Sequence, residues 1–576
     1  MSSKHFINDP TLLVNTALHS LTLTNPNVAL DAEHKIIYRR PSEQTASQVS
    51  IISGGGSGHE PSFAGMVGPG MLAAAVAGTI FASPSAEQVR TGIMSRVDTG
   101  NGVLVVVMNY TGDILNFGMA VEKAKAAGLG VEMVVVGDDV GVGRAQAGKV
   151  GRRGIAGTVL VLKIAGALAA TGAPLDKVAA MARLTAANIV SVGASLEHVH
   201  VPGREVNTGE GLALGQVEIG MGIHNEPGSG SGKMDLPQMV STMLTQLLDT
   251  SDKDRAFLEV NSKEVVLLIN NLGGVSVLEM GGITAEVVSQ LEQKHSIRPA
   301  RIISGTFMTS LNGQGFSISL LNVVDPAIIE LLDSPSEVTG WAAAVQKNTW
   351  ENRSTATRTD TSAVNQEVKP SELKLEPSSA TAALTNALEN VIAAEPDVTR
   401  YDTVVGDGDC GIGLKRGGEA ILENLKSKPL TGDAVVDVAS IVPVVENNMD
   451  GTSGALYAIF LNALVAALRS QPVGDATPKV WAAALKQSCD ALSAYTPARP
   501  GDRTLVDALY PFVEELGRSG NVAAAAEASL KAADATKGMK ASLGRSVYVG
   551  GSGYEEVPDP GAWGLACFFK GLAGLE

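Results

Sequence analysis

The sequence predicts a multidomain chain, with an α/β region over residues 50–330 followed by an all-α region from about residue 379. Three observations predict it. First, Val103–Met108, Val131–Val136 and Val265–Ile269 are continuous apolar runs, mostly β-branched, each closed by Gly, Asn or Asp. Such runs read as strands buried on both faces of a mainly parallel sheet. Second, Ala-rich stretches lie between them at 119–127 and 164–171 and read as helices. Third, strand-like runs vanish after about residue 379. Helical spacing there covers 380–394, 412–426, 454–468, 478–494, 504–517, 521–535 and 560–574. These read as antiparallel helices with short loops. Residues 346–378 read as an exposed linker, most polar from Glu351 onward and followed by Pro370 and Pro377. The domains expected are therefore 1–345 and 379–576.

In the α/β region ligands are expected beyond the carboxyl ends of the strands. Asn109 and Asp113, in Asn109-Tyr110-Thr111-Gly112-Asp113, fall at such an end. The similar ending Asn270-Asn271-Leu272-Gly273-Gly274 hints at a second, related sheet. The glycine cluster Ser53-Gly54-Gly55-Gly56-Ser57-Gly58-His59-Glu60 follows another apolar run. It fits neither the dinucleotide fingerprint nor a Walker loop, and it leaves room for a small ligand beside His59. Gly143–Val150 comes near the Walker pattern but ends in Val150, where a metal-binding hydroxyl is needed. His224 lies in Gly220-Met221-Gly222-Ile223-His224-Asn225-Glu226, where an imidazole between glycines is open to a small molecule.

The helical region carries the densest chemistry. Asp402, Asp407 and Asp409 fall within eight residues, in a loop reading Gly406-Asp407-Gly408-Asp409-Cys410-Gly411. Three carboxylates in one loop repel one another unless a cation neutralises them, and oxygen ligands suit a hard ion such as Mg²⁺. An EF-hand fails because Gly411 stands where a third acidic or amide ligand belongs. The thiol of Cys410 suits softer metals and reads as packing. Met449-Asp450-Gly451-Thr452-Ser453-Gly454 runs directly into a helical pattern. Small hydroxyl residues at a helix start either cap the helix or leave its amides to an anion. Pro500-Gly501-Asp502-Arg503-Thr504 and Ser542-Leu543-Gly544-Arg545 each bring an arginine. Arginine over a transferring phosphoryl group is a recurrent stabiliser.

Bulk composition narrows the classes. A formal net charge of −16 argues against a broad basic face for nucleic acid or an anionic membrane. Three cysteines, Cys410, Cys489 and Cys567, make no disulfide framework and suit a reducing compartment. The polar residues 1–10 lack a signal-peptide core, and no run of about twenty apolar residues suggests a membrane span. The expectation is a cytoplasmic protein.

Taken in order, these motifs make the chain resemble the single-chain, ATP-dependent dihydroxyacetone kinases, called triokinases in animals, and most closely their fungal members. The resemblance runs from about residue 5 to 574. It implies an N-terminal substrate domain of two α/β lobes and a C-terminal eight-helix barrel holding Mg-ATP. It implies that His224 captures the ketone carbonyl as a hemiaminal, a bond glycerol cannot form. Gly56, Ser57, Gly58 and His59 would surround the triose, and Asp113, beside His59, would take or orient the proton of the attacking hydroxyl. Asp402, Asp407 and Asp409 would hold Mg²⁺. Thr452, Ser453, Gly408, Cys410 and Gly411 would lie on the nucleotide, with Arg503 and Arg545 nearby. A homodimer in glycerol metabolism is implied, with glyceraldehyde as a further substrate. Met108 stands where the family carries a lysine, which removes a cation and a donor from the substrate pocket. Asp450 stands where Gly is common and adds negative charge beside the phosphate loop. Cleavage of FAD to a cyclic riboflavin phosphate and a non-catalytic regulatory role are the competing readings.

Overall fold

A computed structural model of the chain describes residues 5–41, 47–205, 211–260, 264–342, 345–357, 368–540, 543 and 554–575. The chain divides into two units, Met1–Ala356 and Thr357–Glu576.

The first unit holds two six-stranded sheets. One contains β1 (Val28–Asp31), β2 (Ile36–Arg39), β3 (Ser50–Ser57), β4 (Ala74–Ile80), β5 (Val103–Met108) and β6 (Val131–Val136), in the order β1-β2-β4-β3-β5-β6. The last four are parallel, and β1 and β2 add an antiparallel edge. The other contains β7 (Ile189–Ser195), β8 (Gln216–Ile219), β9 (Gly230–Lys233), β10 (Val265–Asn271), β11 (Arg301–Gly305) and β12 (Gly315–Asn322), in the order β11-β10-β12-β7-β8-β9. Only β10 and β11 are parallel there. The expectation of a mainly parallel sheet therefore holds for the first sheet and fails for the second. All seven residues of β10 are buried whichever way its neighbours run. An apolar run reports burial on two faces, not strand direction.

Helices Ala86–Ser95 and Thr111–Ala126 cover one face of the first sheet, where Val89, Ile93, Phe117 and Val121 meet the odd-numbered β5 residues Val103, Val105 and Val107. Helix Thr158–Ala170 lies on the other face and is buried on nearly every side. Such a helix belongs inside a core. Its core continues from Leu104 and Val106 of the first sheet to Ile189, Val266, Leu268 and Leu321 of the second. The two lobes thus share one apolar interior.

The second unit contains eight α-helices among its described residues: Pro377–Val405, Cys410–Ser427, Ala434–Asn448, Gly451–Arg469, Pro478–Leu492, Val506–Ser519, Val522–Asp534 and Pro560–Leu572. Each packs on the next and the last closes on the first, so the ring is a barrel. The third helix has no counterpart among the expected segments. Its Val-rich stretch with an internal Pro443 does not look helical locally, so tertiary packing decides. The first helix runs past the expected end at 394 with Pro396 inside it. Apolar side chains including Leu384, Leu414, Ile421, Leu456, Phe460 and Trp481 line an interior cavity of about 490 Å³. Helix Gly451–Arg469 is, against the sequence expectation, long and apolar enough by length and composition to cross a membrane. Its Leu456, Tyr457, Phe460, Leu461 and Leu464 line this cavity instead.

The expected 346–378 linker is shorter than read. Helix Lys347–Asn352 belongs to the first unit, with Trp350 under the guanidiniums of Arg301 and Arg353. At the other end Leu373 is buried, and Leu373–Lys374 pairs with Gly474–Asp475 while Ser371 binds Asp433.

Candidate active site

In the first unit, three chain segments meet at the carboxyl ends of β3 and β5. The Gly54–His59 segment crosses from β3 to a tight loop. Gly58 has φ +105°, and a Cβ there would lie 2.7 Å from the Phe81 ring, so only glycine fits. The loop 309–311 between β11 and β12 ties this segment down. Thr309 and Leu311 donate backbone N–H to the carbonyls of His59 and Gly58, at 3.1 and 2.7 Å. Ser310 Oγ donates to the Ile223 carbonyl at 2.6 Å, which draws in the loop after β8.

His59 and His224 meet there, with their Nε2 atoms 3.0 Å apart. His59 is fully buried, and its Nδ1–H donates to the Thr309 carbonyl at 2.8 Å. Phe81 stacks on His59 at 5.3 Å between ring centroids, while Phe81 and Tyr110 meet His224 edge-on at 5.1 and 4.8 Å. Burial and the neighbouring His224 push the His59 pKa down to about 3. His224 Nδ1 faces Glu226 Oε1 at 2.9 Å. Asp113, in the first turn of helix Thr111–Ala126, lies near where a Gly55 side chain would start. Its Oδ1 is buried without a hydrogen-bond partner among the described residues. Burial raises its pKa, against the lowering effect of the Ser83 hydroxyl. A carboxyl so placed can take a proton from a hydroxyl held beside it.

The structure thus brings His59, His224 and Asp113 together, with Gly56, Ser57 and Gly58 preceding His59 on the same segment and the Ser57 hydroxyl donating to the Gly78 carbonyl at 3.0 Å. The sequence reading did not assign Glu226, Tyr110, Phe81 or Thr309. Glu226 has a local signal, an acid two residues beyond a histidine inside a turn. Thr309 has none, because 250 residues separate it from His59.

In the second unit the acidic loop joins the first two helices. The ligand oxygens of Asp402, Asp407 and Asp409 lie within 4.8 Å of one another, Asp402 buried and the other two exposed. Asp402 Oδ2 accepts the Cys410 N–H at 3.0 Å, which folds the loop back on its helix. Cys410 Sγ lies 3.9 Å from Ser453 Oγ, so the acidic loop and the Thr452-Ser453 turn face one site. Helix Gly451–Arg469 has Asp450 as N-cap, and no side chain caps its amides. The helix-cap reading of Thr452 and Ser453 therefore fails. Open N-terminal amides beside a carboxylate triplet can hold a phosphate chain and its cation together. Asp559, which the sequence reading passed over, caps the last helix through Ala562 N–H at 2.8 Å. Burial raises its pKa to about 7.

Residues 19–340 match the Dak1 domain and residues 404–574 the DAK2 domain. The chain belongs to the dihydroxyacetone kinase family. It is 42% identical to a dihydroxyacetone kinase of Pichia angusta, covering 100% of this chain and 98% of that protein. It is 35% identical to the human triokinase/FMN cyclase, covering 99% of each. The dihydroxyacetone kinase of C. freundii in complex with AMP-PNP and Mg²⁺ is a structural relative, with TM-score 0.69, 32% identity and full coverage of both chains.

Of the two arginines expected near the nucleotide, Arg503 lies among the described residues. Arg503 is buried, and its Nη1 and Nη2 donate to the carbonyls of Met539 and Val557, both at 2.9 Å. These two bonds anchor its loop. Arg545 lies outside the described residues. Met108 is 1% exposed and packs in the shared core with Val106, Val136 and Ile155.

Proposed function

We propose that the chain transfers the γ-phosphoryl group of ATP to dihydroxyacetone, giving dihydroxyacetone phosphate and ADP, with glyceraldehyde as a further acceptor. The observation that carries this reading is the pair of imidazoles at the mouth of the first sheet. The His224 ring is held through Nδ1, so its Nε2 is the atom directed at the site. A ketone carbon bonded to that Nε2 is held as a hemiaminal, which selects against alcohols without a carbonyl. Asp113 then accepts the proton of the terminal hydroxyl as its oxygen attacks the γ-phosphorus and ADP departs. The second unit positions the phosphates through the Gly451 helix start. Asp402, Asp407 and Asp409 would hold Mg²⁺, and their mutually close oxygens fit a hard divalent ion. When bound, the ion neutralises charge on the phosphate oxygens. Transfer then depends on positioning rather than on covalent chemistry with phosphate.

The test is ADP release from Mg-ATP with dihydroxyacetone, with glycerol and without acceptor, for the native chain and His224→Ala. Turnover with dihydroxyacetone alone, lost in the variant, supports the reading. Absence of turnover in the native chain overturns it. The name of the human relative adds cyclase chemistry, so FAD with Mn²⁺ belongs in the same assay. We also read the chain as a cytoplasmic homodimer, and light scattering that returns the mass of one chain would overturn the dimer.

A further inference from the structure

Both carboxylate oxygens of Glu226 are spent on one residue. Oε1 faces Nδ1 of His224 at 2.9 Å, and Oε2 accepts the backbone N–H of His224 at 2.9 Å. Burial pushes this carboxyl up, but hydrogen bonds and charge from His224 outweigh it and hold it at about 2. It is therefore ionised and accepts only, so His224 carries hydrogen on Nδ1. His59 also carries hydrogen on Nδ1, because its partner there is the Thr309 carbonyl. The two Nε2 atoms, 3.0 Å apart, would then oppose lone pair to lone pair. The contact is satisfied when one proton lies between them.

Glu226 is itself held in place. A Cβ on Gly222 would lie 2.0 Å from Glu226 Oε2 and 2.5 Å from Arg153 Nη1, so both charged groups occupy the face that glycine leaves open. Arg153 in turn binds Asp139 Oδ2 through Nε at 2.9 Å and the Gly220 carbonyl through Nη2 at 2.6 Å. The carboxylate thus sits between a fixed guanidinium and the capturing imidazole.

We propose that Glu226 is a positioning residue for substrate capture: it fixes His224 as the Nδ1–H tautomer, aims Nε2 at the ketone carbon, and balances the charge of the adduct. The inference rests on the kinase reading above. In the capture step the Nε2–C bond forms and the C=O π bond opens onto oxygen. That oxygen takes the proton lying between the imidazoles. His59 is left neutral, and the alkylated His224 ring, still carrying Nδ1–H, is a cation against the Glu226 carboxylate. Atoms and charge balance without a further reactant.

The test compares Glu226→Gln, Glu226→Asp, His224→Ala and the double variant Glu226→Gln/His224→Ala in the full-length chain. Loss of a group that orients a functional histidine typically weakens its function about 10- to 100-fold. Glu226→Gln is expected to raise KM for dihydroxyacetone by about that factor and leave KM for ATP and the melting temperature unchanged. Glu226→Asp, which keeps the charge, is expected to recover part of the loss. In the His224→Ala background, where turnover is expected to be lost, Glu226→Gln is expected to add nothing to the loss of dihydroxyacetone binding read by titration. A native KM in Glu226→Gln beside an impaired His224→Ala overturns the proposal. So does an undiminished Glu226→Gln effect on the His224→Ala background, which would mark a role in loop stability alone. If the native chain fails to turn over dihydroxyacetone, the kinase reading falls separately. NMR of ¹⁵N-histidine-labelled protein still decides the tautomer, and a His224 without hydrogen on Nδ1 overturns the proposal.

Discussion

Arg416 and Asp450 form an ion pair, Nη2 to Oδ2 at 2.6 Å, beside the open N-terminus of helix Gly451–Arg469. Arg416 also donates through Nε to the Asn448 carbonyl at 2.6 Å, which fixes the turn before that helix. The extra negative charge at Asp450 therefore meets a cation before it meets a phosphate. Both side chains are well exposed, so the pair is worth at most about 1 kcal/mol. Arg416→Ala is expected to raise KM for ATP about two- to five-fold, more at low salt, and Arg416→Ala/Asp450→Gly to return it to the native value. Steady-state kinetics at two salt concentrations check this.

Asp113 offers a buried oxygen with no described partner, next to the imidazole pair. Asp113→Asn keeps the shape and removes the base. We expect kcat to fall about 10²- to 10⁴-fold, with KM for dihydroxyacetone changing little, because capture depends on the histidines. Steady-state kinetics with dihydroxyacetone in excess separate the two constants.

The carboxylate triplet predicts a metal-dependent gain in stability. Adding Mg²⁺ with ATP is expected to raise the melting temperature of the native chain, and chelation to reverse the rise. Asp409→Asn removes one of three mutually repelling charges. It is expected to leave the metal-free melting temperature unchanged or higher while weakening Mg-ATP binding about 10- to 100-fold, as titration calorimetry would read.

His59 and Asp559 respond oppositely to pH. His59 falls from an ordinary value of 6.5 to about 3 on folding. Below pH 6.5 the unfolded His59 takes up a proton of its own that the buried ring does not, so this group's share of the first unit's stability is lost toward acid. Asp559 rises from 3.8 to about 7. Its folded carboxyl binds a proton the unfolded one releases, so its stabilising share is full below 3.8 and is lost as pH rises toward 7. Calorimetric scans from pH 4 to 8, a range of about four units, should show Asp559→Asn flattening the second trend and leaving the first.

Much of this site was legible in the sequence because its motifs are local. The glycine cluster, the carboxylate triplet and the Gly451 helix start each occupy a few consecutive residues. The composition shift near residue 379 marks a real change from sheets to helices. What was not legible depends on distant partners. Nothing in Pro500–Thr504 shows that Arg503 is claimed by the carbonyls of Met539 and Val557. Nothing near Val265 shows that β10 has an antiparallel neighbour, because burial and direction are separate properties. Helix Ala434–Asn448 is Val-rich with an internal proline and is decided by its neighbours in the ring.

The Thr309 carbonyl that holds His59 has a consequence for the chain as it leaves the ribosome. The first sheet is complete once residue 136 has emerged, and its glycine-lined loop can then already form. His59 still lacks its acceptor until residue 309 follows, and the segment that delivers it also latches the His224 loop through Ser310. A nascent chain therefore lacks the complete pair of imidazoles until residue 309 has been made.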